Sequence, residues 1–84
     1  MQTINQKKAS RLVGEAVLGD QLGYFQVEVK EFVHPQGKRD ICLIDMEFSR
    51  TDCDISVKYL ISVNSSGEVA IIQLQYSYST PYDE

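Results

Sequence analysis

From Tyr24 to Ser77 apolar and polar residues alternate with a period of two, broken at short clusters of turn-forming residues. That period sends successive side chains to opposite faces of an extended chain, so the stretch reads as half-buried β-strands. Residues 24–33 set Phe25, Val27, Val29 and Val33 against Gln26, Glu28 and Lys30. Residues 41–49 turn Cys42, Ile44, Met46 and Phe48 one way, and 55–63 do the same with Ile55, Val57, Tyr59, Ile61 and Val63. Residues 68–78 alternate Ala70, Ile72, Leu74 and Tyr76 with Gln73, Gln75 and Ser77. Between them lie the turn signals His34-Pro35-Gln36-Gly37-Lys38, Arg50-Thr51-Asp52-Cys53-Asp54 and Asn64-Ser65-Ser66-Gly67.

Ahead of the strands the period changes once. Ala9, Leu12, Val13, Ala16 and Val17 recur at helical spacing and predict one helix over about 4–19. Thr3 is the expected N-cap, with Gln6 as its capping-box partner, and Gly19-Asp20 is the expected stop. The stripe is narrow and its side chains are small, so the helix depends on the surface it lies against. The fold class that follows is α+β, one N-terminal helix packed on a four-stranded antiparallel β-meander, in a single domain spanning 1–84.

Short turns and matched apolar faces nearly fix the register, because a slip of one residue would turn a strand's apolar set to water. Val33 is expected opposite Cys42, Phe48 opposite Ile55, and Val63 opposite Glu68. The helix then covers Phe25, Val27, Val29, Cys42, Ile44, Met46, Phe48, Ile55, Val57, Tyr59, Ile61, Ala70, Ile72 and Leu74. On the other face Lys30, Asp45, Lys58 and Gln73 form a row of alternating charge. The row Glu28, Glu47, Ser56 and Gln75 opposes two carboxylates, which a two-residue shift of the first hairpin would relieve. The neighbouring row is Phe32, Leu43, Leu60 and Ile71, four large apolar residues on a face for which no second helix exists. Ile41, Val69 and Tyr24 fall on the same side and extend the patch. Two readings of the row stand: the N-terminal or 20–24 segment folds over it, or it is a partner-binding surface, as contiguous apolar patches usually are.

Chemistry finds little purchase in this chain of 84 residues. It holds one histidine and two cysteines, His34, Cys42 and Cys53. The meander puts His34 and Cys53 at opposite ends of the sheet, about 25 Å apart at ~3.3 Å per residue, which rules out a nucleophilic pair between them, and no catalytic residue is expected. Cys42 points into the core as a small hydrophobe. The same layout leaves the cysteines too far apart to bridge, which suits a reducing compartment. No ligand spacing for zinc is present, and Asp52, Asp54 and Glu47 lack the pattern of a calcium loop, so neither metal nor cofactor is expected. The net charge of −4 is too mild and of the wrong sign for a nucleic-acid backbone. No apolar run approaches the ~20 residues of a membrane span, and Gly14, Glu15, Gly19 and Asp20 interrupt any signal-peptide centre. A cytoplasmic location is the expectation.

The order of one helix followed by a four-strand meander resembles the cystatin-like class of folds. The resemblance is one of architecture. The protease-binding Q-x-V-x-G loop of cystatins has no counterpart here, since Gln73-Leu74-Gln75-Tyr76-Ser77 departs at the valine and glycine positions. What the sequence supports is a non-enzymatic protein-interaction module, pairing with a protein partner or with itself through Phe32, Leu43, Leu60, Ile71, Ile41 and Val69. A small inhibitor or adaptor encoded by a phage or mobile element is one form of it. The alternative is a small ligand-binding or enzyme subunit with a pocket between helix and sheet, lined by Tyr59 and Tyr76.

Overall fold

A computed structural model describes residues 3–80. Helix α1 (Gln6–Leu18) runs into a short 3-10 segment (Gly19–Tyr24), and four strands follow: β1 (Gln26–Val33), β2 (Ile41–Arg50), β3 (Cys53–Val63) and β4 (Val69–Ser79). They form one antiparallel sheet in the order β1-β2-β3-β4. The α+β architecture of one helix on a four-strand meander is therefore what the structure contains.

The start of the helix differs from the sequence expectation. Asn5, not Thr3, is the N-cap, its side chain accepting from the Lys8 amide at 2.8 Å. The reason is Ile4. Its amide donates to the Arg39 carbonyl at 3.0 Å, and its side chain is fully buried, so residue 4 is committed to the core before the helix begins. Gly19 ends the helix with a φ of 58°, in the left-handed region that glycine enters without a Cβ penalty. Ala9, Val13 and Gly14 are the buried positions, with Leu12 and Val17 partly buried; Ala16 is exposed rather than part of the seam. Gly14 lets the 3-10 segment close on the helix, because a Cβ there would meet both Leu22 methyls at 3.0 Å.

The β2–β3 ladder keeps one register from end to end, Phe48 opposite Ile55 as expected. Its turn is only Thr51-Asp52, so Cys53 starts a strand and lies buried with 2% of its surface exposed, rather than sitting in a polar turn. The flanking ladders each contain one extra residue. In β1 the register steps at Lys30: Val27 and Val29 face Phe48 and Met46, but Phe32 faces Ile44 and Val33 faces Leu43. In β4 it steps at Leu74: Tyr78 and Tyr76 face Ile55 and Val57, but Gln73, Ile71 and Val69 face Tyr59, Ile61 and Val63. An extra residue of this kind exchanges the two faces of a strand beyond it.

Below the sheet's helix side lies the core: Ile4, Ala9 and Val13 against Cys42, Ile44, Met46, Phe48, Ile55, Val57, Tyr59, Ile61 and Val63. Its centre is β2 and β3. The radius of gyration is 13.6 Å, against about 12 Å for a compact domain of this length, as a long sheet under a single short helix requires.

Candidate functional site: the outer face and the open edge of the sheet

The apolar row on the outer face exists with altered membership. Leu43 and Leu60 are opposite each other and half-buried, as expected. Phe32 and Ile71 do not flank them. The extra residue at Lys30 turns Phe32 onto the helix side, where it packs partly buried against the core, and Val33 takes its place beside Leu43. At the other end the last turn is one residue longer than expected. Asn64 Oδ1 accepts from the amides of Ser66 and Glu68, both at 2.9 Å, so Glu68 belongs to the turn and Val63 pairs with Val69. That single step moves Ile71 and Val69 to the helix side and brings Ile72 and Ala70 to the outer face. The observed row is Val33, Leu43, Leu60, Ile72, with Ile41 on the same side beside Ser62 and Ala70. Tyr24 ends the 3-10 segment and is largely exposed.

Charged and neutral polar side chains occupy the rest of the outer face. Glu28 and Glu47 do stand opposite each other, and no shift of the hairpin relieves them. Lys30 does so instead, its ammonium 3.7 Å from Glu28 and 3.8 Å from Glu47. Asp45 lies between Glu31 on one side and Lys58 on the other.

The fourth strand lies where the sequence placed it, and what sequence reasoning missed is its exposure. Every residue from Val69 to Ser79 is exposed, although the strand is fully paired to β3 on one side. The helix packs chiefly on β2 and makes no comparable contact with β4. Val69, Ile71, Ile72, Leu74, Tyr76 and Tyr78 are between 39% and 55% exposed, and they occupy both faces. Between 69 and 79 there is no charged residue and no proline. The signal was present in that absence: an edge strand normally carries lysine, proline or inward charges that discourage further pairing. The opposite edge has them. β1 is eight residues long and presents Glu28, Lys30 and Glu31 around its extra residue.

The remaining candidates are accounted for locally. His34 donates from Nδ1 to the Ile41 carbonyl at 2.8 Å and stacks edge-on against Phe32, at the far end of the sheet from Cys53. Cys42 and Cys53 are both buried and unbridged. Burial pushes the Cys42 thiol above its ordinary range, while the Ile61 backbone opposes that in part. Asp52 accepts from the Arg50 guanidinium, which holds its carboxyl below the usual range, and the same guanidinium lies 4.8 Å from the centre of the Phe25 ring. The Tyr59 hydroxyl donates to Gln73 Oε1 at 3.0 Å. An open surface hollow lies around Phe25, Ser49, Arg50 and Asp54, at the Arg50 end of the sheet. Among the described residues no helix is long and apolar enough to cross a membrane.

No protein-family model matches the chain, no curated protein matches its sequence, and no solved structure matches its fold.

Proposed function

We propose that this chain is a non-enzymatic protein-interaction module that receives an extended partner segment along the open edge of β4. One observation carries the reading: an eleven-residue edge strand, exposed throughout, uncharged, and carrying large apolar side chains on both faces. Adding a strand there would satisfy a row of backbone donors and acceptors, while the alternate side chains supply selectivity. The outer-face row is continuous with this edge through Ile72, so a partner strand beside β4 would extend the Val33, Leu43, Leu60, Ile72 patch. The pocket reading loses support from two contacts. The Tyr59 hydroxyl is engaged by Gln73, and Ala9 and Val13 are fully buried where the helix meets the sheet.

Site-specific photocross-linking in the native host tests the proposal. A benzophenone side chain at position 76 should capture a protein, and one at position 28 on β1 should not. Capture from position 28 with none from position 76 would overturn it.

A further inference from the structure

The partner strand with the best fit to β4 is β4 itself. We infer that two copies of this chain pair β4 to β4 about a two-fold axis perpendicular to the sheet, giving one continuous eight-stranded sheet. Such pairing presupposes that β4 is the contact edge, as proposed above, and goes beyond it by naming the occupant.

Faces decide the register. A two-fold axis perpendicular to the sheet keeps each face on its own side, so helix-side residues of one copy must meet helix-side residues of the other. On β4 those are Val69, Ile71 and Gln73 before the extra residue and Tyr76 and Tyr78 after it. Because Leu74 interrupts the alternation, only registers that match residues across it keep the faces together. Centring the axis between Gln73 and Leu74 sets Ile71 against Tyr76 and Val69 against Tyr78 of the second copy, twice each by symmetry. Ala70 then meets Ser77 and Ile72 meets Gln75 on the outer side. The helix-side pairs are β-branched against aromatic, the combination cross-strand neighbours favour. Moving the axis along by one residue leaves only one apolar pair on that side, Ile71 with Tyr78, and sets Gln73 against Tyr76.

Charge permits this occupant. The chain carries a net charge of −4, and no charged residue lies between positions 69 and 79 to oppose a second copy there. Glu68, the nearest carboxylate, would face Ser79 of the second copy rather than another acid, and its Oε1 is held in the turn by Asn64 Nδ2 at 2.9 Å. The contact is small. Ten residues at ~3.3 Å each along an edge about 10 Å thick hide roughly 330 Å² per copy, below the standard size for stable complexes. Association therefore falls in the micromolar range or weaker.

The test is sedimentation equilibrium of the full chain from about 5 µM to about 1 mM, which spans that range. The wild-type protein should move from its 9.5 kDa monomer mass towards twice that value as concentration rises. Ile71→Glu and Tyr76→Lys each set an unpaired charge against an uncharged residue of the second copy, Tyr76 or Ile71, at both symmetric positions, and should each weaken association at least about tenfold. Positions 71 and 76 are five residues apart on one strand and cannot pair within a copy, so mixing the two variants should restore association to within about threefold of wild type. Circular dichroism checks that both half-exposed substitutions leave the fold intact. A wild-type chain that stays at monomer mass throughout, or variants that do not rescue each other, overturns the inference. If position 76 still cross-links to a different protein in cells, the edge proposal stands without it. If position 76 captures nothing, both fall.

Discussion

Phe32 stands opposite Ile44, not Leu43, and the one residue responsible is Lys30. By taking an extra place in β1, Lys30 converts Phe32 from an outer-face residue into part of the helix-side packing, and sends Val33 outward in exchange. The relationship has an energetic signature. Phe32→Ala should cost about 2 kcal/mol, less than for a fully buried phenylalanine but well above a surface truncation, and Val33→Ala should cost less than about 1 kcal/mol. Urea denaturation of the two variants checks this. The reverse order would mean that the strand has no extra residue.

Lys30 has a second consequence, because it sits between two opposed carboxylates. All three groups are substantially exposed, so the effect is modest. Lys30→Met should lower stability by about 0.5–1 kcal/mol at low ionic strength and by less at about 0.5 M salt, where Glu28 and Glu47 are screened from each other. Denaturation midpoints at the two salt concentrations measure the difference. A loss that does not shrink with salt would assign the effect to packing of the lysine stem instead.

The contact between Gly14 and Leu22 ties the 3-10 segment to the helix. Gly14→Ala adds helix propensity of about 1 kcal/mol but presses a methyl against a flexible side-chain tip, so the two effects should nearly cancel. Gly14→Leu cannot be absorbed in that way and should destabilise by about 1–3 kcal/mol. Thermal melts of both variants, with amide exchange in residues 19–24 as the local readout, would show it. Equal effects from alanine and leucine would contradict the close approach.

Alkaline pH should weaken the fold through Cys42 and Tyr59. Burial raises both groups above their ordinary values of 9.0 and 10.0. As pH climbs past 9 the unfolded chain gives up the Cys42 proton before the folded one does. The folded state then binds more protons, and stability falls with rising pH; the contribution is fully present below 9 and is lost as pH passes through the raised value. Tyr59 adds the same trend from about one unit higher. Cys42→Ala should flatten the first part of the decline in urea titrations between pH 8 and pH 10, at a fixed cost from the lost side-chain volume. A decline of unchanged slope in the alanine variant would remove Cys42 from the account.

The sequence was most legible where the two central strands meet. A two-residue turn and matched alternation leave β2 and β3 one register, and Phe48 lies opposite Ile55 as read. Both outer strands defeated the same rule, because each contains one residue that pure alternation does not count. The clue lay in doubled apolar residues. Phe32-Val33 and Ile71-Ile72 are adjacent large hydrophobes, and adjacent strand residues face opposite ways. One member of each doublet had to point outward, and only the position of the extra residue decides which. Asn64 compounded the error, since its side chain draws Glu68 into the turn through bonds that composition does not announce. The candidate site shifted accordingly. Leu43, Leu60 and Ile41 lie where they were read, Phe32, Ile71 and Val69 changed sides, and the open edge became apparent only once the short helix was seen to stop above β2.

The two borders of the sheet differ in kind. Each carries one extra residue, Lys30 in β1 and Leu74 in β4, but one border presents Glu28, Lys30 and Glu31 and the other no charge at all. A ribbon with one receptive border and one closed border can accept a single neighbour and then has nothing left to offer. On the proposed pairing, the charges of β1 would act as a chain terminator, keeping a pair of copies from growing into a fibre.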